Sequence, residues 1–456
     1  MKFSSGALSC AVFTFLSSTH GMGASAQVNP VVKEIVDAIS TDRIAANMKK
    51  LESFGTRDTH SEGNVKARQW LLDEFKSYSP RLQVRFDIHP VKKRGRIVRD
   101  LDVVNVIAVL PGSASPERQV MVSGHYDSLA IATKKGATPG ESNSIDAEAS
   151  AVMPRAPGVS DDASGVAAVL ELARVMSSRE FEKTVVFAAF GAEEQGLIGS
   201  TLFAQEAHKT KTRIEAVLNN DIIGNDRSGS GIVITHSVRV FSADPADSAS
   251  RSLARYIYDT APRYVPSMRV ELVFRSDRFS RGGDHTPFSR EGFAAVRFTT
   301  PAEALDLQHT EKDNFEAASP AYTARVTKVN AAALASLALA PKPPDVERLV
   351  PAREPTRPAV LSPNLSRGKS RYDAVLRWKN PDPETDLLGY AVVIRSTTSS
   401  FWEREIFVGN VQEYTLKDFS IDDVIVGVKA VDKTGIESLV SAYVMAAYQQ
   451  ASIDLN

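Results

Sequence analysis

Residues 184–200 read TVVFAAFGAEEQGLIGS: a short apolar run that stops at Gly191, delivers two adjacent glutamates, Glu193 and Glu194, and then turns on glycines. A run of that length bounded by turn residues reads as a buried strand. Taking even one carboxylate out of water without a partner is costly. The remainder of the chain has to supply what balances the pair.

Working outward, the helical pattern GVAAVLELARVM precedes this strand, and a short helix near STLFAQEAH follows it. Beyond them lie two more strand-like runs, QVMVSGHYD and AVLNNDIIG, with a long polar loop over about 132–157. Closer to the N-terminus, residues 29–78 carry apolar residues at three- and four-residue spacing, and LQVRFDIH and LDVVNVIAVL follow as strands. Strands alternating with helices predict an α/β fold with a mostly parallel sheet and helices on both faces. Ligands of such sheets collect beyond the carboxyl ends of the strands.

The chain has 456 residues, more than one core usually supports, and a formal net charge of -1, which gives no basis for a nucleic-acid or anionic-membrane partner. Residues 1–26 combine Lys2, an apolar stretch from Ala7 to Leu16 and Ala24-Ser25-Ala26, the pattern of a cleaved signal peptide, and predict a secreted or periplasmic protein. No segment is apolar for long enough to span a bilayer. The single cysteine, Cys10, falls in the signal segment, so the remaining chain has no thiolate chemistry. An α/β domain is expected over 27–340 and a stiff, proline-rich linker over 341–363. Residues 364–456 change texture to short β runs between turns and predict a small β-sandwich, whose Trp378, Leu388-Gly389-Tyr390 and VGVKAVDKTGIES resemble a fibronectin type III module.

Five stretches put ionisable residues at strand or loop ends. SGHYDS carries His125 and Asp127, a spacing that suits a metal-ligating imidazole held by a carboxylate, although a surface His with a nearby Asp is common. Asp161-Asp162 in VSDDASG either cap the following helix or bind a cation. Glu193-Glu194 would ordinarily be a solvated loop, a reading weakened by the strand leading into them. Asp221 ends NND and His309 lies in DLQHTEKD; each alone would be a turn or loop residue. Together they provide oxygen and imidazole donors suited to Zn, Mn or Co, with enough negative charge for two cations and a carboxylate to bridge them.

With these motifs in order, GHYDS, DDASG, AEEQGLIGS, NND and the final HT, the chain from about Asp42 to Leu339 resembles metallopeptidase family M28, the zinc-peptidase/phosphorylase-like fold of bacterial co-catalytic aminopeptidases. The resemblance implies two Zn²⁺ ions, with His125 and Asp221 on one, Glu194 and His309 on the other, and Asp161 bridging. It implies that Glu193 is the general base toward a metal-bridged water, that Asp127 orients His125, and that the Asp161-Asp162 bond is cis. The expected function is hydrolysis of N-terminal residues from peptides or proteins by an exported aminopeptidase. Asp284 matches a DH pair of relatives, the arginine-rich FRSDRFSRGGDH is a candidate pocket lining, and no tyrosine matches the oxyanion-assisting residue of some members. The alternatives on the same fold are a glutaminyl cyclase, against which Asp161-Asp162 argues, and a dipeptidase or carboxypeptidase. A metal-stabilised adhesion protein would have no need of Glu193. The β-sandwich is expected to contact a polymer, a cell surface or the enzyme's own core, or to act as a spacer.

Overall fold

In a computed structural model, which describes residues 28–137, 144–279, 281–350, 360–380 and 386–444, the apolar runs assemble into one eight-stranded sheet. The signal-peptide segment, part of the 132–157 loop and part of the linker lie outside the described residues. Three helices come first, α1 (Pro30–Asp37), α2 (Thr41–Glu52) and α3 (Glu62–Tyr78), and each begins where Asn29, Ser40 or Ser61 accepts hydrogen bonds from first-turn N–H groups. Their buried residues, such as Ile44, Met48 and Leu51 on α2, keep the three- and four-residue spacing.

The strands are β1 (Gln83–Val91), β2 (Leu101–Leu110), β3 (Ser115–His125), β4 (Lys183–Phe190), β5 (Arg213–Asn220), β6 (Ser237–Ser242), β7 (Arg269–Val273) and β8 (Ala295–Thr299). Their order is β1-β2-β4-β3-β5-β8-β6-β7. The centre, β4-β3-β5-β8, is parallel, while β1, β2 and the β8-β6 pair introduce antiparallel ladders, so the sheet is mixed. The interspersed helices are α4 (Ala147–Ser150), α5 (Ser164–Met176), α6 (Ile198–Lys209), α7 (Ala249–Tyr264), α8 (His285–Arg290) and α9 (Pro320–Leu339).

Alternation along the central strands divides the core in two. Val120, Val122, Val185, Phe187 and Ala189 join the cluster containing α5 and α9, whereas Met121, Val186, Ala188 and Phe190 pack with Phe203 of α6 and Phe288 of α8. Burying each such side chain contributes about 1.5–3 kcal/mol. The small residues Ala331 to Ala333 let α9 approach α1, α2, α5 and α7 at once. No described helix is long and apolar enough to cross a membrane.

After α9 the segment expected as an extended linker is partly paired: β9 (Glu347–Val350) and β10 (Val360–Pro363) form an antiparallel ladder. Two further antiparallel sheets follow. One contains β11 (Leu365–Arg367), β12 (Ala374–Arg377) and β15 (Glu413–Leu416); the other contains β13 (Leu387–Ser396), β14 (Arg404–Gly409), β16 (Val424–Asp432) and β17 (Ser441–Ala442). They share a core in which Trp378 packs edge-on against Tyr390. This all-β unit touches the rest of the chain through Ile436, which joins the main core, Arg263 with Glu437 at 2.9 Å, and Tyr258 stacked on Phe401.

Candidate metal centre

Because β4, β3, β5 and β8 are parallel neighbours, their carboxyl ends open on one edge of the sheet. His125 ends β3, Glu193 and Glu194 follow β4, Asp221 follows β5, and His309 lies in the loop between β8 and α9. Asp161 comes from the irregular turn entering α5. That turn can press against the strand ends because Gly124 and Gly165 lack side chains: a Cβ on Gly165 would stand 2.4 Å from Asp162 Oδ2 and 2.5 Å from the Asn220 carbonyl oxygen.

Asp161 faces two ways. Its Oδ1 lies 3.0 Å from His125 Nε2, and its Oδ2 lies 3.3 Å from His309 Nε2. Glu194 Oε2 is 3.1 Å from His309 Nε2, and Asp221 Oδ1 is 3.9 Å from His125 Nε2. Ligands of a tetrahedral zinc ion with bonds of about 2.1 Å sit about 3.4 Å apart, so these donors are spaced to share a cation as well as to pair directly with the imidazoles. Glu194 Oε1 is buried with no hydrogen-bond partner, an atom that a cation would satisfy. Donor atoms of His125, Asp161 and Glu194 lie within 4.8 Å of one another, as do those of His125, Glu193 and Asp221. Glu193 therefore stands within ligand reach of one group as well as facing the cavity.

The electrostatics show how heavily the side chains load this site with charge. Burial pushes the Glu193 carboxyl well above its ordinary range, with His125 opposing and Asp221, Glu194 and Asp284 adding to it. Burial likewise raises Glu194. Burial acts against the charged form of His125, but Glu193, Asp127, Asp161 and Asp221 outweigh it and hold its pKa well above the usual value. His309 is raised in the same way by Glu194 and Asp161, against burial. Bound divalent ions would favour the ionised carboxylates and neutral imidazoles.

Asp127 lies beside His125, as expected, and makes a further contact that the sequence did not suggest. Its two carboxylate oxygens accept from the backbone N–H groups of Glu193 and Glu194, each at 3.1 Å. The nearest Asp127 atom to His125 Nδ1 is its carbonyl oxygen at 3.2 Å, while Oδ1 is at 3.6 Å. The neighbouring aspartates divide the two readings of their pair. Asp162 caps α5 through Gly165 N–H at 2.9 Å and accepts from His125 N–H at 3.1 Å, leaving Asp161 to face the histidines. The bond between them is cis.

Several supporting residues escaped the sequence reading. Arg57 is fully buried and donates to the carbonyls of Tyr126, Gly158 and Pro157, joining the end of β3 to the turn that carries Asp161. Asp313 accepts from Ser160 and Asp161 N–H groups at 2.8 and 3.0 Å, and burial pushes it up to about 7. Arg297, a buried charge on β8, lies 3.1 Å from Asp221 Oδ1 and also pairs with Asp277. An arginine inside the apolar run AAVRFTT was the available signal for it. Asp284, which the sequence did single out as matching a DH pair, is also buried, and burial pushes its carboxyl up to about 7.

In front of the centre lies a cavity of 430 Å³, lined by its carboxylates and His309 and also by Arg96, Arg278 and Arg281. Among the described lining residues there is no tyrosine, and none comes from the 132–157 loop.

Comparison with known proteins agrees with this geometry. Residues 105–334 match the model of peptidase family M28. The chain is 34% identical over 446 residues to a probable zinc metalloprotease of Pyrenophora tritici-repentis, covering 89% of this chain and 85% of that one. Its fold is similar to that of a leucine aminopeptidase precursor from Bacteroides thetaiotaomicron, with TM-score 0.51, 15% identity, and coverage of 65% of this chain and 97% of that one. It is also similar to a glutaminyl cyclase of Fimbriiglobus ruber, with TM-score 0.50, 20% identity, and coverage of 65% and 95%. The strand-end donors, their order along the chain and these matches agree: the protein belongs to peptidase family M28.

Proposed function

We propose that the chain is an exported dizinc aminopeptidase. The observation that carries this reading is Asp161, whose two oxygens each face a different histidine, as a carboxylate shared by two ions requires. His125 and Asp221 would hold one Zn²⁺, Glu194 and His309 the other, with Mn²⁺ or Co²⁺ as substitutes. The ions, when bound, supply Lewis acidity toward the attacking water and the scissile carbonyl.

The chain's own residues do the rest. Glu193, which opens onto the cavity, takes the proton from the attacking water and returns it to the leaving amine, so no charge accumulates on the nitrogen. Asp127 fixes the turn carrying Glu193 and Glu194, and Asp162 fixes the His125 backbone. A non-catalytic metal site would have no use for an acid aimed into the cavity. Residues 1–26 serve export to the periplasm or beyond, 27–340 form the catalytic domain, and residues 364–456 make a fibronectin type III-like module.

The test is a panel of aminoacyl amides, free and N-acetylated, assayed with and without a chelator. Chelator-sensitive hydrolysis confined to free amines is expected. Cleavage of blocked substrates would overturn the aminopeptidase reading, and cyclisation of N-terminal glutamine with ammonia release would favour the cyclase.

A further inference from the structure

Three arginines line the cavity, but they are not equivalent. Arg278 is already paired, with Glu303 at 2.7 Å and Asp277 at 3.2 Å. Arg96 donates to a neutral acceptor, the Glu194 carbonyl, at 2.7 Å, and Arg281 to another, the Gln308 side-chain oxygen, at 2.9 Å. Gln308 in turn donates to Asp161 Oδ2 at 3.4 Å. Arg96 is thus one hydrogen bond from a residue of the centre and Arg281 two, through Gln308, and neither has a carboxylate partner among the described residues. They come from separate parts of the chain, Arg96 from the β1-β2 connection and Arg281 from the β7-α8 connection. Two divalent ions would offset the four carboxylates lining the cavity, Asp161, Glu193, Glu194 and Asp221, leaving Arg96 and Arg281 as its unmatched charge.

We propose that Arg96 and Arg281 form a carboxylate-binding subsite beside the scissile bond, so that the enzyme prefers peptides with a carboxylate there. The inference rests on the peptidase reading above. Guanidinium groups with free N–H donors recognise carboxylates by charge-assisted hydrogen bonds. Two sources present that chemistry: the side chain of a terminal Asp or Glu, and the free C-terminal carboxylate of a dipeptide. A neutral or basic residue in the same place leaves the arginines uncompensated. Because Arg281 is exposed, the preference weakens as salt rises.

The experiment compares kcat/KM of the zinc-loaded full chain on glutamyl, leucyl and lysyl amides, and on Leu-Gly against Leu-Gly-amide. A preference of about tenfold or more for the acidic member of one series is expected, and the series in which it appears identifies the source. Arg281→Gln and Arg96→Gln should each shrink that ratio severalfold, and Arg281→Glu should turn it toward lysine. The same ratios are read on N-acetylated peptides if those are the ones cleaved, so the arginines are tested whichever end is attacked. Equal rates on acidic and neutral members, or a ratio unmoved by both Arg281 variants, would overturn the subsite and leave the aminopeptidase reading standing.

Discussion

The amides of Glu193 and Glu194 both donate to one carboxylate, so Asp127 holds the pair, and although both side chains line the cavity, Glu194 is buried against His309 while Glu193 is the more exposed of the two. That difference separates the consequences of two isosteric substitutions. Glu193→Gln keeps the shape and one oxygen, so about two zinc ions per chain should remain while kcat falls by about 100-fold to 10,000-fold, the range for losing a general base. Asp161→Asn removes the charge facing both histidines, so metal content should fall below two ions per chain. Elemental analysis after dialysis, alongside initial rates, distinguishes them. A Glu193→Gln protein with parental turnover ends the base assignment, and an Asp161→Asn protein with both ions ends the bridge. The residues at this edge were legible because strand ends carry them, while the roles expected of each came from the family resemblance and not from the local pattern. The pair follows a turn and does not continue the strand, since β4 ends at Phe190 and Ala192 turns the chain at φ 58°.

Among the elements, the central strands and the helix after them followed from apolar runs and glycine punctuation. The tie between them did not. Arg57 lies between α2 and α3, far from the site in sequence, and nothing in GTRDTH marks it as a buried group that serves four carbonyls, those of Leu51, Tyr126, Pro157 and Gly158. Burial pulls its pKa down to about 10, against Asp313 and Asp127, so it stays charged at neutral pH. Arg57→Lys preserves the charge but lacks the fork needed to reach these carbonyls together. With buried acceptors left unpaired at about 1–3 kcal/mol each, the substitution should lower the unfolding free energy by about 3 kcal/mol. It should also lower zinc occupancy at limiting metal, because the His125 and Asp161 backbones are no longer joined. Urea titration and metal content measure both; an unchanged pair of values would show that the strand and the turn hold their positions without it.

At the scale of the whole molecule, the proline-rich stretch suggested two units joined by a spacer, and the change of texture after it was correctly legible as all-β. Contact with the enzyme's own core was one of the expected uses of this unit, but the residues that make it were not legible, because Ile436 and Glu437 sit in KTGIES, which reads only as a turn. Ile436 is 3% exposed in the main core, and Glu437 lies 2.9 Å from both Arg263 of α7 and Lys429 of β16, with Glu405 2.7 Å from Lys429. The cations hold the Glu437 carboxyl below its usual pKa against the effect of burial. Removing one charge from a buried group of this kind costs more than an exposed pair would, because the partners keep their charges without compensation. Glu437→Gln should therefore destabilise the full chain by about 3 kcal/mol. The loss should appear as a lower urea midpoint for peptidase activity, not only for spectroscopic signals of the β unit, since α7 packs on α9 and so on the layer beneath the centre. An activity midpoint identical to the parent's would mean that the β unit is a spacer after all, and that Arg263 and Lys429 find other partners when Glu437 is neutral.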